Sequence, residues 1–149
     1  KWLWDRQSCL LHQVALTEFI GKDHLAKHIR RMRTIYEQRR QTLITALTEV
    51  FKPFGPVEFF GDPAGLHIMA RLPLAAANLS DEDFVIQAQR QNVELFSVQR
   101  YHFPATATNS PRTSDLTSGL FIFGFGGLTE GAIEDAIARL RLILEHKYA

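Results

Sequence analysis

Residues 23–51 read DHLAKHIRRMRTIYEQRRQTLITALTEVF. The apolar residues fall at Leu25, Ile29, Met32, Tyr36, Leu43, Leu47 and Val50, in steps of three, four and seven. That spacing predicts one continuous stripe along a single long helix. Asp23 is placed to cap it, because a carboxylate there can accept the backbone N–H groups two or three residues on. Pro53 and Gly55 end it, since proline has no N–H and excludes the helical conformation just before it. At 1.5 Å per residue, a helix of this length runs for about 42 Å. The rest of the chain has to be organised around such a spine.

On the N-terminal side, residues 10–20 form a first helix with Val14, Ala15 and Phe19 on its apolar face, and Gly21 is expected as the left-handed residue that closes it. Ahead of it, Trp2, Leu3 and Trp4 form an aromatic cluster suited to a surface that faces another domain. On the C-terminal side, residues 57–60 read as a short strand and residues 61–65 as a turn. Residues 66–72 alternate, with Leu66, Ile68, Ala70 and Leu72 on one side and His67, Met69 and Arg71 on the other. Residues 79–84, LSDEDF, carry every signal of a helix start: Ser80 as cap, Asp81 and Glu82 against the positive end of the dipole, Asp83 reaching back, and Leu79 and Phe84 as a staple. That helix runs to about Gln91, with Asn92 as a left-handed stop. Residues 93–98 give another strand.

Residues 101–119 are rich in threonine, serine and proline and read as a flexible loop. Residues 120–125, LFIFGF, are apolar on both sides of the pleat, as in a central strand covered twice. Residues 128–130 open a last helix, with Thr129 as cap and Leu128 stapled to Ile133; Ile133, Ala136, Ile137, Leu140, Ile143 and Leu144 share one face. Helices and strands interleaved in this order predict a two-layer α/β sandwich.

Composition bounds the function. The 149 residues, 46% hydrophobic and 22% charged, suit one globular unit. A net charge of +1 supplies no general attraction to nucleic acid or anionic membrane. No apolar run approaches the length of a membrane span. One cysteine, Cys9, cannot form an internal disulfide, which suits a cytoplasmic setting, and it is read as a small core residue. The opening has neither an initiator methionine nor the pattern of a signal peptide, so the chain is read as a segment of a longer protein.

The motifs that suggest chemistry are individually weak. His24 and His28 are four apart, but no HExxH pattern forms and no third ligand is indicated, so no metal is expected. Arg30, Arg31, Arg33, Arg39 and Arg40 make the spine basic without a helix-turn-helix partner or stacking aromatics, which suits a solvated face or carboxylates of a neighbouring domain. Gly124, Gly126 and Gly127 lack the spacing of a nucleotide fingerprint and read as tight strand-to-helix packing. Lys1, Lys22, Lys27, Lys52 and Lys147 sit at ends, turns or polar faces, where none is poised as a nucleophile. No catalytic residue is read from the chain. Arg100 and Tyr101, between a strand and the loop, are the residues placed to face a ligand.

Residues 12–47, HQVALTEFIGKDHLAKHIRRMRTIYEQRRQTLITAL, resemble the start of the C-terminal subdomain of fold-type-I pyridoxal-phosphate proteins. More closely, they resemble the MocR/GabR-type transcription regulators of the GntR superfamily. Residues 64–68, AGLHI, running into Arg71, Leu72 and Pro73, and residues 120–128, LFIFGFGGL, are similar to the regulators in the same order.

The resemblance implies a two-layer α+β small domain: a small, mainly antiparallel sheet, helices on one face and a long N-terminal helix. Residues 1–22 would be a linker helix, 23–52 the spine and 53–149 the small domain, with its flexible loop at 101–119. It also implies a bacterial cytoplasmic regulator that holds pyridoxal phosphate and pairs as a homodimer. The Schiff-base lysine, the large domain and the DNA-binding winged helix-turn-helix would all lie upstream, so this segment would neither hold the cofactor nor bind DNA itself. In aminotransferases the strand equivalent to residues 120–125 carries an arginine for the substrate carboxylate. The corresponding position here is Ile122, which favours a regulator over an enzyme. The alternatives are the small domain of a working aminotransferase acting on an amino acid, and an interaction domain with no cofactor history.

Overall fold

The computed structural model describes residues 9–61, 65–101 and 117–145. The aromatic cluster at residues 2–4 and nearly all of the loop expected at 101–119 lie outside the described residues. The elements are α1 (Leu10–Gly21), α2 (His24–Phe51), β1 (Glu58–Phe60), β2 (His67–Arg71), α3 (Asp81–Arg90), β3 (Phe96–Ser97), β4 (Leu120–Gly124) and α4 (Glu130–Glu145), with short 3-10 turns at Leu74–Ala77 and Val98–Tyr101. The spine is one unbroken helix, as its stripe predicts. Two compact units divide within it, one ending at Ile35 and the other beginning at Tyr36.

In the first unit, α1 buries none of its residues. Leu10, Leu11, Val14, Leu16 and Ile20 are all exposed. The Phe19 ring stacks on His24 with centroids 5.9 Å apart. Three expectations are corrected here. Cys9 is not in a core; it is exposed at the N-cap of α1, ahead of a helix that is itself unburied. Gly21 is the last helical residue rather than the left-handed stop, and Asp23 takes that conformation at φ +61°. A left-handed Asp23 is not in the extended backbone from which a capping carboxylate meets the helix amides. Its carboxylate instead accepts from Arg30 Nη2 at 3.4 Å, and its carbonyl from the Lys27 N–H at 3.1 Å.

The second unit holds a four-stranded sheet in the order β1-β2-β4-β3, with every pairing antiparallel. The pleat sends Ile68 and Ala70 of β2, with Phe121 and Phe123 of β4, to the buried side. The same core takes Leu43, Leu47 and Phe51 of α2, Phe84 and Ala88 of α3, and one face of α4 from Ile133 to Leu144. Phe84 is its centre: its ring meets Phe51 and Phe121 edge-on, at 6.1 and 5.7 Å between centroids, each at 74°. Edge-to-face geometry sets the positive rim of one ring against the negative face of the next. The strand expected over residues 93–98 shrinks to Phe96–Ser97. Val93 and Leu95 are buried in the core instead, and Val98 already turns into a 3-10 helix.

The starts of α3 and α4 behave as read. The Ser80 Oγ accepts the Asp83 N–H at 3.1 Å and donates to the Asp83 carboxylate at 2.7 Å. Leu79 and Phe84 are both buried, and Asn92 stops α3 at φ +57°. Thr129 caps α4, its Oγ1 accepting the Ala132 N–H at 3.2 Å.

Replacing Phe84 by Ala is expected to cost about 3–5 kcal/mol, the range for an aromatic deleted from a closed core. Ile86→Ala on the same helix, at a side chain 43% exposed, should cost less than about 1 kcal/mol. Urea titration of both variants checks the contrast.

Candidate functional site

The face of the sheet turned away from the helices is the surface that could receive another body. Register pairs Phe60 with Met69, Met69 with Ile122, and Ile122 with Phe96. One row of four apolar side chains therefore crosses every strand. Phe60, Met69 and Phe96 are each more than a third exposed, and Ile122 is half-buried between them. Directly opposite residues on one face lie about 5 Å apart, so this is a contiguous strip rather than scattered contacts. The next row is polar at its rim: Arg71 stands across from Glu58, with Nη1 3.4 Å from the carboxylate, and its guanidinium lies 5.5 Å from the Phe60 ring centre. At the other end, His67 stands across from Gly124, where a Cβ would come within 3.2 Å of the imidazole.

The turn from β4 into α4 is held close to its neighbours. Arg39 Nη1 donates to the Gly126 carbonyl at 2.7 Å, and a Cβ at Gly126 would stand 3.2 Å from Leu66. Gly124 and Gly126 are thus where backbone and side chains approach, as the packing reading has it. Arg39 comes out of the basic run with a specific structural role. At the opposite rim, a cavity of about 600 Å³ opens beside Glu58, Arg71, Ser80, Asp81 and Gln99. Asp81 forms part of its wall as a buried carboxylate, its oxygens 2.9 and 3.1 Å from the Gly119 nitrogen. Sequence reasoning gives Asp81 only a dipole role; its partner stands 38 positions away, beyond any local signal.

Arg100 lies exposed on the 3-10 turn that leaves β3. The side chain of Tyr101 is outside the description. Among the described residues, no group of three or more His, Cys, Asp or Glu could hold a metal, and no helix is long and apolar enough to cross a membrane. His24 is engaged with Phe19.

No family model matches the chain. It is 33% identical over 129 residues to the HTH-type transcriptional regulator YhdI of Bacillus subtilis (strain 168), which aligns 87% of the chain with 24% of that protein. It is 28% identical over 132 residues to the probable rhizopine catabolism regulatory protein MocR of Rhizobium meliloti, aligning 89% of the chain with 24% of that protein. By sequence the chain belongs with the MocR-type regulators. It spans about a quarter of the length of these curated relatives.

The fold of this MocR-type segment is shared with aminotransferases. LysN, the alpha-aminoadipate aminotransferase of Thermus thermophilus, solved with N-(5'-phosphopyridoxyl)-L-leucine, superposes with a TM-score of 0.61 at 17% identity, over 97% of the chain and 33% of the enzyme. The kynurenine aminotransferase of Pyrococcus horikoshii, solved with PMP, gives 0.58 at 19% identity, over 89% and 29%. The antiparallel sheet with helices on one face is therefore the aminotransferase-like fold that the resemblance implies.

The residues described do not by themselves fit covalent attachment of pyridoxal phosphate. Lys22, Lys27 and Lys52 are exposed on helix ends and turns of α1 and α2, and no described strand carries a lysine.

An open apolar strip favours self-association of the chain by itself. Replacing both Phe60 and Phe96 by Ser is expected to lower self-association, at a cost of about 1–3 kcal/mol in folding free energy from the lost cross-strand contacts. Light scattering and urea titration together check this.

Proposed function

We propose that this chain is the C-terminal part of an aminotransferase-like effector and dimerisation domain in a bacterial, cytoplasmic transcription regulator. Its open sheet face forms one wall of a cleft, and the rest of the protein supplies the other wall, the pyridoxal-phosphate lysine and the winged helix-turn-helix that binds DNA. The regulator acts as a homodimer and touches DNA only through that other domain. The observation that carries this reading is the row Phe60–Met69–Ile122–Phe96, a strip that water covers poorly and a second domain covers well. Helix α1, whose apolar residues are spread around its circumference with none buried, supports it, because a helix that exposes apolar side chains on several sides is ordinarily covered by another body. Arg100 and Tyr101, at the strand-to-loop corner, are the residues assigned to the ligand side of this wall.

A working aminotransferase acting on an amino acid is the second reading, favoured by the fold shared with the two enzymes described above. Ile122 at the middle of the open face argues against it, since an alkyl group cannot form the paired hydrogen bonds a carboxylate requires.

Equilibrium dialysis against pyridoxal phosphate tests the reading. The full-length protein is expected to bind one equivalent per chain, and the 149-residue chain none. Binding by the short chain would contradict it. Sustained turnover of an amino acid with a 2-oxo acid by the full-length protein would transfer support to the aminotransferase.

A further inference from the structure

Asp81 is the first residue of α3, where a carboxylate that only answers the helix dipole has no need of burial; Glu82 and Asp83 beside it are exposed and serve that purpose. Asp81 is 9% exposed. Withdrawing a charge from water is unfavourable unless hydrogen bonds replace the lost hydration. The Gly119 N–H donates to both Asp81 oxygens, at 2.9 and 3.1 Å, and the Ser97 hydroxyl donates to Oδ2 at 3.2 Å. The Ser97 Oγ in turn accepts the Gln99 N–H at 3.3 Å. The Gly119 carbonyl accepts the Leu72 N–H at 2.8 Å. At φ +72° a Cβ on Gly119 would stand 2.6 Å from the Leu72 oxygen, so this junction admits glycine alone.

One carboxylate thus joins two places that are distant in sequence. Through Ser97 and Gln99 it reaches the turn Val98–Tyr101, which carries Arg100. Through Gly119 it reaches the residue just before β4, the strand that carries Ile122. We infer that Asp81 is a positioning residue: it fixes the corner bearing Arg100 against the strand bearing Ile122, and so sets the edge of the ligand-facing wall. The significance for a ligand rests on the function proposed above; the clamp itself does not.

Amide hydrogen exchange on the 149-residue chain reads the clamp one bond at a time. Asp81→Ala is expected to speed exchange at Gly119 by about 10- to 100-fold, the worth of hydrogen bonds to a charged acceptor, and at Gln99 by a smaller but measurable factor, because its acceptor is the Ser97 hydroxyl that Asp81 orients. Phe121 and Phe123 should stay unchanged. Ser97→Ala should move Gln99 and leave Gly119 protected, because only the first depends on the hydroxyl. Asp81→Asn, isosteric and still an acceptor, should restore most of the protection at Gly119.

A nitroxide on Arg100→Cys, with Cys9→Ser, should become more mobile in the Asp81→Ala background. A label on Glu134→Cys of α4 should not respond. Uniform acceleration across the sheet, an unmoved Gly119, or an unresponsive label at position 100 would each overturn the inference. These readouts need no cofactor, so a failure of pyridoxal-phosphate binding in the full-length protein would count only against the function proposed above.

Discussion

A strand that carries apolar side chains on both sides of its pleat has to be covered twice, and β4 is such a strand. Its Phe121 and Phe123 are enclosed by the three helices of the second unit. On its other side, Leu120 and Ile122 remain half-buried, Ile122 in line with Met69, Phe60 and Phe96 and Leu120 in the next row across from Arg71. Because β4 lies between β2 and β3 in the sheet order, the uncovered side belongs to the whole sheet rather than to one edge. The incomplete covering of β4 therefore determines both what is stable in this fold and what is left over for function.

The covered side is built for rigidity. Phe51, Phe84 and Phe121, one from each of α2, α3 and β4, interlock edge-on, so that two helices and the sheet meet at one aromatic cluster within the core. Arg39 adds a polar tie from α2 to the turn at Gly126, and Asp81 ties α3 to the entry of β4. These charged side chains hold the two ends of the strand whose open side faces outward. A wall of a binding cleft benefits from such bracing, since ligand contacts set from rigid elements lose less to motion.

Much of this was legible in the sequence because it is local. The spacing from Leu25 to Val50 predicts the spine, Ser80 and Thr129 predict helix starts, and the alternation from His67 to Arg71 separates the two faces of β2. What was not legible depends on tertiary partners. Cys9 is exposed because, among the described residues, nothing buries α1. Asp23 takes the left-handed turn that Gly21 was expected to make, since composition does not say which of three adjacent residues will adopt it. Val93 and Leu95 have the composition of a strand, yet the core takes their side chains and leaves only Phe96–Ser97 paired. The two-sided apolar character of residues 120–125 could be read directly, and with it the need for a second cover from the loop, a partner chain or another domain. Nothing near Asp81 in sequence points to Gly119. The open face itself emerges only once the register aligns four residues from four strands.

Met69 offers the most direct measurement of whether that face is roofed in the whole protein. It lies in the middle of the open row and is 37% exposed in this chain. Its oxidation by dilute peroxide, followed by peptide mass spectrometry, should be at least about tenfold slower in the full-length protein than in the 149-residue chain, because a thioether must meet the oxidant to react. Equal rates in the two would show the sheet still facing water, and would contradict the cleft.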